Sequence, residues 1–392
     1  MKAAPRARNK GTGSIEARGT GSWRITVEVG APAEDGKRTR HRETVKGNKR
    51  DAERRLREIL SAAETGVYVA PSRITTGQFL EEWVSTYALL HTSPRTAQSY
   101  AAEFRRHVVP ALGKIPLADL RPHHIQAYYV EELRTGRSDG TGGLSPRSVA
   151  YHHRILSEAL EHAVRQNLLV RNPAKVVDPP RPKRAEVGML AAEDTRRFLQ
   201  SAAESEYFPL LLAALYTGAR LGELLALQWR NVDLGNGTMT ITHTLYRTGS
   251  EWHLREPKSA KSRRQIAMPA SLTVHLAEHK KTMEAERATT GSELTAEDFV
   301  FAQWNGNPRD ERSVNRGFAR VLAKAGLPHI RFHDLRHTHA SLLLKAGVNP
   351  KVVSERLGHA SVSFTLDVYS HVMPGLQESA AAKLEALIGG TP

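Results

Sequence analysis

Cysteine is absent from this 392-residue sequence, which excludes disulfide frameworks, thiol nucleophiles and zinc or iron–sulfur centres ligated by cysteine. Long hydrophobic runs are absent as well, because the longest one, Phe208 to Tyr216, is too short to span a bilayer. The basic first segment, MKAAPRARNK, lacks the apolar stretch of a secretory signal. We therefore expect a cytoplasmic protein with no membrane partner, whose chemistry uses side chains other than thiols.

Basic residues outnumber acidic ones by 56 to 41, which gives a formal net charge of +15. Because Lys and Arg displace the counterions condensed on nucleic acid, this excess favours a polyanionic partner. The hydrophobic fraction of 40% and the charged fraction of 25% are typical of a folded globular protein, and the length fits two or three domains. The first 70 residues hold 16 basic and 9 acidic residues, so nearly half of the net charge lies in this short segment.

The amino-terminal segment has the pattern of a small sheet followed by a helix. Residues 23–29 alternate between polar and apolar, residues 37–46 suit a hairpin partner, and residues 48–63 suit a helix. A basic sheet of this kind can enter a DNA groove. The side chains predicted to contact DNA are Arg24, Lys37, Arg38, Arg40 and Arg42. A solvated charged face is the alternative interpretation of the same segment.

A helical region follows, and a Pro-rich segment ends it. Ser93-Pro94 and Ser145-Pro146 each place an N-cap before a proline at the first helical position, and two further amphipathic stretches complete a four-helix unit. Residues 178–184 are too rich in proline for a helix and too charged for a core, which indicates an extended linker. The predicted boundaries are 1–65, 75–174, a linker at 175–188, and 189–392.

Two segments of the last region carry residues suited to phosphate chemistry. In the first, Arg220 and Glu223 are three residues apart on a helix that restarts after Gly218. An arginine in the first helical turn opposes the helix dipole, which is unfavourable unless an anion such as phosphate binds there. A surface ion pair between Arg220 and Glu223 is the alternative.

The second segment lies nearer the carboxyl end. His333 and Arg336 share a helical face in the sequence FHDLRHTHAS, and a Leu-Gly-His triplet ending at His359 precedes Tyr369 by ten residues. Arginine stays protonated and presents a planar fork to phosphate oxygens, so two arginines can neutralise a phosphoryl transition state as a divalent metal otherwise would. The combined set suits phosphodiester transfer without a metal.

These motifs resemble the tyrosine recombinase (phage integrase) family, whose signature is Arg, Lys, His-x-x-Arg, His or Trp, and Tyr in that chain order. Arg220, His333, Arg336, His359 and Tyr369 match it, with Glu223 as a supporting acid. The lysine corresponds to Lys258 in the segment EPKSAKSRR, although Lys261 is an alternative. The resemblance covers the last half of the chain and extends more weakly to the domains before it.

The resemblance implies a multidomain α+β fold that is mainly helical. Its parts are an arm-type DNA-binding domain with a three-stranded sheet, a helical core-site-binding domain and a mixed α/β catalytic domain. Tyr369 is then the nucleophile that forms a 3′-phosphotyrosyl link, and no metal, ATP or other cofactor is needed. The implied partners are double-stranded DNA with core-type and arm-type attachment sites, other subunits of a homotetramer on DNA, and excision or host DNA-bending factors. The expected activity is integration and excision of a phage or mobile element.

Two other functions fit parts of the sequence. The His333-to-His337 spacing is that of the HExxH zinc-protease motif, but Asp334 is a methylene shorter than the required Glu and Arg336 adds a positive charge. A non-catalytic helix-turn-helix regulator could use residues 340–357, but that leaves Arg220 and Tyr369 without a role. An apolar stripe near residues 376–388 predicts a last helix that docks either on a neighbouring subunit or on its own domain.

Overall fold

The computed structural model describes residues 13–29, 39–64, 73–183, 188–249, 251–256, 263–289, 291–369 and 376–388. It divides into two compact units, Met1–Arg184 and Ala185–Pro392. The fold is mainly helical with small antiparallel sheets, as predicted, and the predicted three-stranded amino-terminal sheet is present. The finer division into 1–65, 75–174, 175–188 and 189–392 stays a prediction. Among the described residues, no helix has the length and apolar character needed to cross a bilayer.

The amino-terminal sheet consists of β1 (Ser14–Gly19), β2 (Ser22–Val29) and β3 (Thr39–Lys46), all antiparallel in the order β1-β2-β3. Ile25 and Val27 are buried and pack with Ala52 and Ile59 of α1 (Lys49–Glu64), which fixes the inward face of the sheet.

Arginine side chains occupy the other face of this sheet. Arg24 pairs with Thr44, and Arg42 pairs with Thr26, so both alternate with the inward positions. Lys37 and Arg38 lie outside the described residues, as does the side chain of Arg40. The two described arginines therefore share the face that α1 leaves open.

Over residues 73–183, the first unit continues with six α-helices around a separate apolar core. Two of the helices begin as the sequence predicts, because Ser93 and Ser145 accept backbone hydrogen bonds from residues 96 and 148 and each precedes a proline. A π-helical turn lies between α2 and α3, and another lies between α4 and α5. The helices are α2 (Thr76–Trp83), α3 (Leu89–His91), α4 (Pro94–Glu103), α5 (Val109–Leu112), α6 (Pro122–Thr135) and α7 (Pro146–Arg165).

The second unit combines nine described helices with five short strands. β4, β5 and β8 form one antiparallel sheet in the order β4-β5-β8, and β6 and β7 form a hairpin. The strands are β4 (Val232–Asp233), β5 (Thr238–Ile241), β6 (Thr244–Thr248), β7 (Glu251–Arg255) and β8 (Arg264–Ala267). The helices are α8 (Ala192–Ala202), α9 (Phe208–Thr217), α10 (Leu221–Leu225), α11 (Ala270–Thr289), α12 (Glu311–Lys324), α13 (Asp334–Lys345), α14 (Pro350–Leu357), α15 (Val362–Tyr369) and α16 (Leu376–Ile388).

The core of the second unit surrounds α9, whose apolar residues are buried on nearly every side. A helix that is apolar all round must be central, since no face of it suits water. The ends of α9, α13, α14 and α15 carry the residues described next. The last helix, α16, leaves Leu384, Leu387 and Ile388 largely exposed.

Candidate active site

Arg220 stands at the break between α9 and α10. α9 ends at Gly218, whose φ of 65° is left-handed, and Arg220 then takes the N-cap position of α10. The Arg220 backbone N–H donates to Glu223 Oε2 at 2.9 Å, and its Nη1 donates to Glu223 Oε1 at 2.7 Å. The guanidinium is 40% exposed, so it is held by Glu223 while one side stays available to a ligand.

Glu223 also binds a second arginine, Arg264, which the sequence analysis did not select. Arg264 Nη2 donates to Glu223 Oε2 at 2.8 Å, and both side chains are only 6% exposed. Burial raises the pKa of Glu223, but the hydrogen bond and charge of Arg264, with the charge of Arg220, outweigh it and lower that pKa. The carboxylate is therefore ionised at neutral pH. Arg264 shares the buried face of β8 with Ile266, and this alternation is the sequence signal that could have identified it.

Arg336 joins the two loops that carry Arg220 and His359. Its Nη1 donates to the carbonyl oxygen of Gly218 at 2.8 Å, and its Nη2 donates to the carbonyl oxygen of Leu357 at 2.6 Å. Gly218 lies two residues before Arg220, and Leu357 lies two residues before His359. Burial and then the charge of Arg220 lower the pKa of Arg336 to about 9, so the side chain remains a cation at neutral pH.

Tyr369 ends α15 and is buried, with only 1% of its surface exposed. Its hydroxyl lies 2.6 Å from Nδ1 of His337, a residue that the sequence analysis did not select for the recombinase site. Burial raises the pKa of Tyr369 to about 12, while the charge of Arg336 acts in the opposite direction. The phenol is therefore protonated at neutral pH.

His333 packs against His337 rather than against the tyrosine hydroxyl. The two imidazole rings are nearly perpendicular, with centroids 5.3 Å apart. Burial, followed by the charge on His333, lowers the pKa of His337 to about 4. The imidazole of His337 is therefore neutral at pH 7 and has an unprotonated nitrogen, although its low pKa makes it a weak base in the free protein. His333 is the N-cap of α13, and His337 lies four residues later on the same face of the helix. This spacing is the sequence signal that could have identified His337 as a neighbour of His333.

His359 follows the left-handed Gly358 that ends α14. Its Nδ1 lies 2.8 Å from Oγ1 of Thr365. Burial, followed by the charges of Arg336 and Arg220, lowers the pKa of His359 to about 3. A neutral His359 whose Nδ1 accepts from the Thr365 hydroxyl has its Nε2–H free to donate to an oxygen ligand.

Six of the seven predicted catalytic residues thus belong to one linked network, and His337 and Arg264 extend it. The arginine charges act on His333, His359 and Tyr369, which places fixed cations beside a phenol and neutral imidazoles. Lys258 and its alternative Lys261 lie outside the described residues. This arrangement can bind an anionic centre and supply a nucleophile to it.

Comparisons with known proteins agree with this chemistry. The model of the "Phage integrase family" matches residues 189–375, and that of the "Phage integrase, N-terminal SAM-like domain" matches residues 75–133. This chain belongs to the phage integrase family of tyrosine recombinases. Its class of activity is accordingly site-specific DNA strand exchange. The comparisons support this function and not the helix-turn-helix regulator.

Similar proteins cover nearly the whole chain. A tyrosine recombinase XerC-like protein of Caldanaerobacter subterraneus subsp. tengcongensis is 27% identical over 93% of this chain and 96% of its own. An integrase of Streptomyces ambofaciens is 28% identical over 91% of this chain and 92% of its own. The Tn1549 transposon integrase, solved with a circular intermediate DNA, superposes with a TM-score of 0.66 at 22% identity, covering 80% of this chain and 99% of that one.

Proposed function

We propose that this recombinase cuts and rejoins DNA through Tyr369. The phenolic oxygen attacks the scissile phosphorus, the bond to the 5′-oxygen breaks, and a 3′-phosphotyrosyl link with a free 5′-hydroxyl results. The bond energy stays in the phosphodiester, so no ATP is consumed. Attack by the 5′-hydroxyl of a partner strand restores the DNA and releases Tyr369.

Arg220, Arg336 and His359 are proposed to bind the non-bridging oxygens of the phosphate. The observation that carries this proposal is the pair of bonds from Arg336 to the carbonyls of Gly218 and Leu357, because they hold the loops of Arg220 and His359 around one guanidinium. Preorganised donors of this kind stabilise the transition state without reorganisation. Glu223 serves as the residue that positions Arg220.

Proton transfer is proposed to occur at both the attacking oxygen of Tyr369 and the leaving 5′-oxygen. His337 accepts the proton of Tyr369, and His333 assists through its ring contact with His337. Lys258, as the resemblance implies, protonates the leaving 5′-oxygen. The phosphate anion favours the protonated imidazole of His337, which makes the transfer easier in the DNA complex than in the free protein.

The biological reaction is proposed to be integration and excision of a phage or mobile element in the cytoplasm. Similar proteins include the ICEBs1 integrase of Bacillus subtilis, which is 29% identical over 63% of this chain and 67% of its own. Arg24 and Arg42, on the open face of the amino-terminal sheet, suit contacts with arm-type sites. The exposed Leu384, Leu387 and Ile388 of α16 suit docking on a neighbouring subunit of a homotetramer. Excision and host bending factors complete the proposed assembly.

Covalent trapping tests the proposed chemistry. Attachment-site DNA carrying a nick beside the cleavage position should give a protein–DNA adduct on denaturing gels, because the short fragment that carries the free 5′-hydroxyl diffuses away and cannot reverse the reaction. Tyr369→Phe should bind the same DNA and give no adduct, whereas Tyr246→Phe in β6 should trap normally. An adduct formed by Tyr369→Phe would show that the nucleophile is another residue.

Removal of residues 1–65 tests the arm-binding proposal. The shortened protein should lose binding to arm-type DNA and keep weak cleavage of core-type DNA, because the catalytic network lies entirely in the second unit. Gel-shift and trapping assays with separate arm and core duplexes measure the two properties. Full recombination by the shortened protein would contradict the proposal.

A further inference from the structure

Three side chains with donor atoms suited to a metal ion meet in the helical part of the first unit, away from every residue of the catalytic network in sequence. Glu103 ends α4, His107 follows it in the π-helical turn, and His152 comes from α7. One ligand atom from each lies within 4.8 Å of the others, and among the described residues this is the one such group of three or more His, Asp or Glu side chains.

Both histidines turn the same ring nitrogen toward one carboxylate oxygen. Nε2 of His152 is 3.1 Å from Glu103 Oε2, and Nε2 of His107 is 3.9 Å from the same atom. Zinc bonds of roughly 2.0–2.2 Å in tetrahedral geometry separate neighbouring ligand atoms by about 3.3 Å. The two observed distances lie on either side of that value, and all three ligand atoms lie within 4.8 Å of one another.

The other nitrogen of each ring has a partner of its own. Nδ1 of His152 lies 2.8 Å from the Tyr128 hydroxyl, and Nδ1 of His107 lies 2.9 Å from Glu132 Oε2. Metal-bound histidines usually engage a carboxylate, hydroxyl or carbonyl through the second nitrogen, which fixes the ring and the tautomer. Here the hydrogen bond with Tyr128 fixes the His152 ring in this way, and the Glu132 carboxylate lies close to Nδ1 of His107.

The group is enclosed by protein on one side and open on the other. His152 is 1% exposed and His107 is 8% exposed, whereas Glu103 is 30% exposed. A cavity of about 410 Å³ borders all three residues and is also lined by Arg106, Arg147 and Ser148. The cavity provides an entry path and space for a water molecule as fourth ligand.

We propose that Glu103, His107 and His152 bind one zinc ion, with water completing the tetrahedron on the cavity side. Two imidazoles and one carboxylate suit Zn²⁺, whereas Mg²⁺ and Ca²⁺ prefer sites made entirely of oxygen. The ion links the α4 end and its π-helical turn to α7. Its effect is to stabilise the helical part of the first unit, separately from DNA cleavage.

Zinc titration tests the proposal in solution. Full-length protein without a histidine tag is treated with EDTA and titrated with Zn²⁺ against a chromophoric chelator. We expect one tight equivalent that excess Mg²⁺ does not displace, and Glu103→Gln should weaken it by more than about tenfold. The matched control is His123→Asn, an exposed histidine of α6, which should bind like the unmodified protein. Circular dichroism checks that both variants are folded.

Anomalous diffraction at the zinc edge locates the ion in the unmodified protein, so the test does not depend on the folding of a variant. We expect a peak between the three side chains. A proton shared by His152 and Glu103, whose Nε2 and Oε2 atoms are 3.1 Å apart, is the competing occupant of this space. It predicts no peak and the same zinc affinity for Glu103→Gln as for the unmodified chain, and either result would overturn the proposal.

Discussion

The contact between His337 and Tyr369 changes which histidine is interpreted as the base. His337 lies 2.6 Å from the hydroxyl that the proposed mechanism must deprotonate, and burial keeps its imidazole neutral at pH 7. A side chain that accepts a proton in the transition state typically raises the reaction rate about 10²–10⁴-fold. The mechanism therefore assigns His337 the role of immediate base, with His333 behind it.

We expect His337→Gln to bind DNA normally and to cleave about 10²-fold more slowly at pH 7. Its residual rate should rise toward high pH, because ionisation of Tyr369, whose pKa is near 12, then limits the reaction. Single-turnover trapping across pH measures both effects. His329→Gln, at an exposed position nearby, serves as the control. An unchanged rate and pH profile for His337→Gln would exclude it as the base.

Arg264 is expected to stabilise the site through Glu223. Replacing it with Met leaves a buried carboxylate with one remaining arginine partner, and loss of one member of a buried ion pair costs about 3 kcal/mol or more. Denaturant unfolding of Arg264→Met should show this loss, together with slower cleavage. Arg263→Met, at the exposed neighbouring position, should change stability little. Equal stability of the two variants would show that the Arg264–Glu223 pair contributes little.

At the scale of elements, the turn between α9 and α10 positions Arg220 and supplies a backbone acceptor for Arg336. Gly218 has a φ of 65°, and an added Cβ would lie 2.6 Å from Leu357 Cδ2 and 2.7 Å from His339 Cδ2. Its carbonyl also accepts the hydrogen bond from Arg336. One glycine thus meets a conformational, a steric and a hydrogen-bonding requirement.

Gly218→Ala should therefore destabilise the second unit by about 2–4 kcal/mol, which combines left-handed strain with overpacking. Cleavage should also fall, because relief of the crowding moves the Gly218 carbonyl away from Arg336. Gly249→Ala is the matched comparison, since its φ of 60° is similar and no atom lies within 4 Å of an added Cβ. Thermal unfolding and trapping assays on both variants separate crowding from strain. The same loss in both variants would exclude crowding as the cause.

For the whole molecule, buried neutral histidines make stability depend on pH. Burial lowers the pKa values of His337 and His339 to about 4 and of His359 to about 3, from an ordinary value of 6.5. Between pH 6.5 and about pH 4, these histidines are protonated in the unfolded chain and neutral in the folded one. The unfolded chain then binds more protons, so the free energy of unfolding decreases as the pH falls from about 6.5 toward 4.

Urea unfolding of the full chain at several pH values between 7 and 4.5 measures this dependence. We expect lower midpoints at each step toward acid, and His359→Asn should show a shallower dependence because one depressed group is removed. Glu223 and Asp334, whose pKa values are lowered, add a further loss only below about pH 4.5. Constant midpoints from pH 7 to 4.5 would contradict neutral burial of the histidines.

The sequence by itself determined the family and the mainly helical fold with small sheets, and it selected six residues that the structure brings into one network. These features depend on local spacing, capping and alternation, which the chain carries in short segments, as at Ser93-Pro94 and in residues 23–29. The choice of Lys258 over Lys261 stays a prediction.

Only the tertiary structure decided which side chain touches which. His337 rather than His333 reaches Tyr369, and Arg264 joins Arg220 on Glu223, because these contacts bring together residues 32 and 41 positions apart in the chain. The grouping of Glu103, His107 and His152 likewise depends on how α4 packs against α7. Contacts between distant segments depend on packing of the whole core, and local sequence patterns do not specify them.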